Sequence, residues 1–189
     1  EPQPLCARVI RAVYAGDKDV TLVEAACGPK PGKLTLHINS DNPTVTTAST
    51  DFVRAADGAG GWEGQVWDKA IEVPVTTLDA LIAAHGRPDF VKIDVEGFEA
   101  DVLAGLSQPL QALSFEFTTI SRDVALRSLA LLESLGTYEF NVSFGENQTL
   151  TLSSWVNAKS ITSFIKDMSH EENSGDCYAR LAGLGYTAT

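Results

Sequence analysis

The apolar positions along this chain change period repeatedly, and each change marks an element boundary. Leu5, Val9, Ile10 and Val13 recur at helical spacing, which predicts an amphipathic helix over 4–15 stopped by Gly16. "DVTLVEAACG" (19–28) is an apolar run bounded by charge and glycine, and reads as a buried strand. "GKLTLHIN" (32–39) alternates Leu34, Leu36 and Ile38 with polar neighbours, the pattern of a half-exposed strand after a Pro/Gly turn. Residues 40–70 sustain no period and form the longest irregular stretch. Their glycine-rich "DGAGGWEG" (57–64) follows no strand and opens no helix, so it reads as a loop.

Further on, "AIEVPVTTLDALIAAHG" predicts a strand at 70–75, then a helix capped by Thr76 or Thr77 and ended by Gly86. "DFVKIDVEGFEADVLAGL" supplies a strand (89–95) and a helix (97–106), and "ALSFEFT" (112–118) another strand. Ser121 can cap a helix that carries Leu126, Leu129, Leu132 and Leu135 on one face, with Gly136 past its end. "YEFNVSF" and "TLTLSSW", separated by "GENQ", predict a hairpin. A helix near 158–168 and a closing strand, "GDCYARL", complete the pattern. Strands alternating with helices imply parallel pairing, so the expectation is one α/β domain over 1–189, its mostly parallel sheet extended by a C-terminal antiparallel hairpin.

Charge narrows the partners. Twenty-five acids against 14 bases give a net charge of -11 with no cluster of Lys and Arg, a surface that repels phosphate backbones, so no nucleic-acid partner is expected. No run approaches the roughly 18 apolar residues of a membrane span. Cys6, Cys27 and Cys177 are odd in number and widely spaced, and the three histidines are scattered. That fits reduced thiols in a cytoplasmic protein and gives no zinc site.

The candidate chemistry lies at 92–96. Period two puts Lys92, Asp94 and Glu96 on one face and Val91, Ile93 and Val95 on the other. Asp94 and Glu96 fall at the carboxyl end of their strand, where open α/β sheets bind ligands, and Gly97 lets the chain turn closely there. Two carboxylates in such a cleft can accept a proton or hold a substrate hydroxyl. Lys92, deeper in the strand, needs a partner, which Asp94 or Glu116 of the next strand could supply. The competing reading is a buried ionic network that fixes strand register. Acids at strand ends also hold Mg²⁺ in some proteins, but without further clustered acids no metal is expected.

"VPVTTLDALIAAHGRPDFVKIDVEGFEADVLAGL" (73–106) resembles the core of the FkbM family of S-adenosylmethionine-dependent methyltransferases. The family's "TLD", "KIDVEG" and "E-x-x-VL-x-G" elements match Thr77–Asp79, Lys92–Gly97 and Glu99–Gly105. The resemblance implies a Rossmann-like fold and methyl transfer from S-adenosylmethionine, with a hydroxyl of a small metabolite or glycan as acceptor. It makes Glu1 the ligand of the cofactor ribose and places Ala26 and Cys27 near the adenine. Asp94 becomes the group that positions the acceptor or takes its proton, with Glu96 beside it and Glu116 orienting Lys92 or reaching the cleft. The family's glycine-rich loop and first two strands have no counterpart in this sequence, and are expected upstream of Glu1. Their absence motivates a second reading, a non-catalytic α/β module that binds a partner through 40–70. A third, a metal-dependent phosphodiesterase barrel, lacks the additional acidic motifs it requires. No residue pattern specifies the acceptor or the oligomeric state.

Overall fold

A computed structural model of the chain describes residues 1–145, 147 and 149–183. Helix α1 (Pro4–Val13) opens with Pro at its first turn, where the missing N–H has no partner to lose. It buries Ala7 and leaves Leu5, Val9 and Val13 exposed. The strand expected over 19–28 shrinks to β1 (Ala26–Cys27). Residues 20–23 instead lie along an open cavity of about 660 Å³ with Ile82, Phe90 and Val91, and no neighbouring strand offers them a ladder.

β2 (Gly32–Ile38) and β3 (Lys69–Thr76) pair antiparallel, with Leu36 opposite Ile71, and β1 runs parallel to β3. The stretch between them is less irregular than its sequence. It contains a 3₁₀ turn (Pro43–Val45) and α2 (Thr50–Ala56), whose first turn is capped by the Ser49 hydroxyl accepting from Phe52 N at 3.1 Å. Seven residues are too few to show a helical period. Tertiary packing holds this helix instead: Phe52 meets Trp62 edge to face at 5.0 Å and Trp67 at 6.3 Å.

α3 (Leu78–His85) starts at Thr77, whose hydroxyl accepts from Ala80 N, and ends at Gly86 in the left-handed region. β4 (Val91–Ile93), α4 (Glu99–Leu103), β5 (Ala112–Thr118), α5 (Arg122–Leu135), β6 (Tyr138–Phe144), α6 (Ala158–Asp167) and β7 (Ser174–Leu181) follow. β4 to β7 form a second sheet in the order β4-β5-β7-β6. The mostly parallel sheet expected from the alternation is therefore a mixed α/β arrangement in two sheets. Among the described residues only β1–β3 and β4–β5 are parallel pairs; β7 enters antiparallel to both its neighbours.

The expected hairpin is also corrected. Residues 149–155 form no strand; they pass β6 with isolated bonds such as Thr151 N to Val142 O at 2.8 Å. Within "GENQ", residues 146 and 148 lie outside the described residues. β6 pairs along its length with β7, because that register sets Phe115, Cys177 and Val142 side by side on the buried face. There they pack with Leu103, Leu129, Leu132, Ile161 and Ile165 of the covering helices. Each such aliphatic or aromatic side chain contributes about 1.5–3 kcal/mol of burial. The other face of this sheet carries Lys92, Ser114, Glu116, Asp176 and Ser143 in adjoining positions, and it is polar.

Candidate functional site

Immediately after β4 the backbone folds back on itself. Glu96 (φ 55°) and Gly97 (φ 85°) both sit in the left-handed region, which is rare for a glutamate and costs it about 1–3 kcal/mol. Three groups hold the turn. The Thr47 hydroxyl donates to the Glu96 carbonyl at 2.5 Å. The Glu99 carboxylate, 2% exposed, accepts from Val95 N at 3.2 Å and Gly97 N at 3.1 Å. Phe52 fills the space beneath, so closely that a Cβ on Gly97 would fall 2.6 Å from its ring.

The turn gathers acid. Asp94, Glu96 and Glu116 each offer an oxygen, and these oxygens lie within 4.8 Å of one another. Lys92 Nζ reaches Asp176 at 3.0 Å and Asp94 at 3.2 Å, not Glu116. The partner anticipated for Lys92 is thus supplied mainly by β7. Lys92 is also half-exposed instead of deep, so water shares its solvation. Burial works against its charge, but Asp176 and Asp94 outweigh burial and hold the ammonium above its ordinary range. The glutamates move the other way. Glu116 is pushed up to about 10 by burial, then by Glu96 and Asp94. Burial, then Asp94 and Glu99, raises Glu96 to about 8, and burial raises Glu99 to about 7 despite its two backbone bonds. Burial and mutual repulsion thus favour the protonated forms of the three glutamates, while Asp94 stands beside the Lys92 ammonium.

A cavity of about 460 Å³ opens between the end of β1 and this turn. Glu1, Ala26, Cys27, Asp94 and Glu96 all line it, joined by Phe98 and by Pro43, Thr44, Thr46 and Ala48 of the segment between β2 and β3. Lys92 and Glu116 are not in its wall; Glu116 lies behind, in a narrow cleft with Gly97, Glu99 and Thr118. The Glu1 carboxylate accepts from Gln3 N at 2.6 Å, which fixes one oxygen at the mouth and leaves the other available. Burial pushes the Cys27 thiol up to about 11, so it is an apolar wall and not a nucleophile.

Sequence reasoning missed Asp176 and Thr47, and met Glu99 only as the first residue of a family motif without a role. Asp176 could have been noticed as an acid inside the alternating run "GDCYARL", and Glu99 as an acid two residues past a glycine turn. Thr47 gave no signal, because its role depends on a turn 49 residues away.

Neither the curated proteins nor the solved structures contain a match to the chain. A family model described as the Methyltransferase FkbM domain, however, matches residues 1–166, a span that includes both the acidic turn and every wall of the cavity. The chain therefore belongs to the FkbM family of methyltransferases.

Proposed function

We propose that the protein transfers a methyl group from S-adenosylmethionine to a hydroxyl oxygen of a small metabolite or glycan in the cytoplasm. One observation carries the reading: Asp94 and Glu96 share a single cavity with Glu1, Ala26 and Cys27. Its volume of about 460 Å³ suits a nucleoside-sized ligand. The donor set fits as well, with a carboxylate oxygen free at Glu1 to accept from vicinal ribose hydroxyls and apolar walls at Ala26, Cys27 and Phe98 for an adenine ring. Such a cofactor supplies a methyl group activated by its sulfonium.

The chain's own residues then have separate tasks. Asp94, paired with Lys92 at 3.2 Å, accepts a hydrogen bond from the acceptor hydroxyl and takes its proton as the oxygen becomes nucleophilic. Asp176 positions Lys92 beside Asp94. Thr44 and Thr46 line the same cavity, Thr46 donating to the Gln3 side chain beside Glu1. Free Cys6, Cys27 and Cys177 support a reducing compartment.

The test is incorporation of radiolabelled methyl groups into a panel of hydroxylated metabolites and glycans. Asp94→Asn should abolish transfer and leave S-adenosylhomocysteine affinity within a few fold. An active Asn variant would remove Asp94 from the mechanism.

A further inference from the structure

We propose that Asp94, Glu96 and Glu116 form a binding site for one hard divalent cation, with the Thr118 hydroxyl at its edge. Two of the carboxylates come from the turn after β4 and the third from the neighbouring strand β5. The β4–β5 register sets Ile93 opposite Phe115, so the next residues, Asp94 and Glu116, sit side by side. Their oxygens, with one from Glu96, lie within 4.8 Å of each other, a spread that small side-chain movements convert to the 2.0–2.6 Å ligand distances of a hard cation.

A second, independent observation points to a ligand there. Glu96 Oε2, Glu116 Oε2 and Thr118 Oγ1 are buried and have no hydrogen-bond partner. Thr118 is only 5% exposed, lies on the same face of β5 as Glu116, and lines the same narrow cleft. Buried polar atoms normally find a partner, and here one is lacking on Glu116, on Thr118 in the same cleft and on Glu96, whose carboxylate lies close to that of Glu116. Neither Lys92 nor Glu99 meets this need. Lys92 is engaged by Asp176 and Asp94, and Glu99 accepts from two backbone amides. Every donor atom is oxygen, which selects Mg²⁺, Mn²⁺ or Ca²⁺ over zinc or copper. The sequence shows each of the three carboxylates but not their spacing, because the third is 20 residues further on, in the next strand.

The site stands beside the methyl-transfer reading and not on it, since cation binding is measured with no cofactor present. The experiment titrates Mn²⁺ into the metal-free intact gene product by calorimetry and follows the thermal midpoint. The expected result is one Mn²⁺ per chain, displaced by excess Mg²⁺ or Ca²⁺, with a rise in the midpoint. Glu116→Gln and Asp94→Asn should each weaken binding by about 10–100-fold, while Glu133→Gln on the exposed side of α5 leaves it unchanged. Circular dichroism reports folding of each variant, and Asp94, at the surface, provides a ligand deletion that spares the core. Absence of Mn²⁺ binding overturns the proposal. So does weak binding at several sites that both ligand variants leave intact, the signature of general attraction to an acidic surface.

Discussion

Gly97 and Glu99 decide whether the acidic turn exists. A Cβ at Gly97 would strike Phe52 while its φ of 85° strains any other residue, so Gly97→Ala should lower stability by about 1–3 kcal/mol in urea unfolding. Glu99 should give the turn a pH signature. Its folded pKa, about 7, stands above the ordinary 4.5, so the folded state holds the proton more tightly than the unfolded one. Its contribution is complete below about pH 4.5 and is lost as pH rises through about 7. In metal-free buffer the urea midpoint should therefore fall between about pH 5 and about pH 8, and Glu99→Gln, which keeps a carbonyl for both amides, should reduce that fall. An identical pH profile in the variant would contradict the assignment. Lys92, Asp94 and Glu96 were legible in the sequence because charge interrupts an apolar run. Asp176 was not, since it meets Lys92 from 84 residues away, a contact that only the strand order creates.

Among the elements, α2 was not anticipated, β1, β4 and α4 are shorter than expected, and the alternating run 149–155 forms no strand. The periods of β2, β3 and α5 stand out because each turns one face inward, whereas β5 is buried on both faces and shows as an aromatic-rich run. α2 is set by Phe52 packing against Trp62, and β1 is cut to two residues by the absence of a ladder partner beyond Ala26 and Cys27. The insertion of β7 between β5 and β6 was invisible because apolar alternation says which residues are buried, not which strand lies beside which. Two substitutions test this level. Phe52→Ala, removing a 1% exposed ring, should cost about 3–5 kcal/mol and loosen the cavity wall at Pro43–Ala48. Gly105→Ala should destabilise by about 1–3 kcal/mol, because its Cβ would sit 2.3 Å from the Gly28 carbonyl oxygen. That close approach joins the end of α4 to the end of β1, and with it one sheet to the other.

At the scale of the molecule, two sheets are related through a groove. Among the described residues β1 pairs only with β3 and β4 only with β5, so each turns an open edge toward the cavities between them. The chemistry gathers at one end of that groove, where the acidic turn after β4 meets Glu1, Ala26 and Cys27. The family resemblance in the sequence brought these residues together on paper; the backbone turn at 96–97 brings them together in space. The most direct test is a calorimetric titration of S-adenosylhomocysteine into the intact gene product and its Glu1→Gln variant. One ligand per chain is expected, weakened about 10-fold or more by the loss of a charged acceptor at Glu1. An absence of binding, or binding indifferent to both Glu1→Gln and Phe98→Ala, would show that this cavity is not the cofactor site.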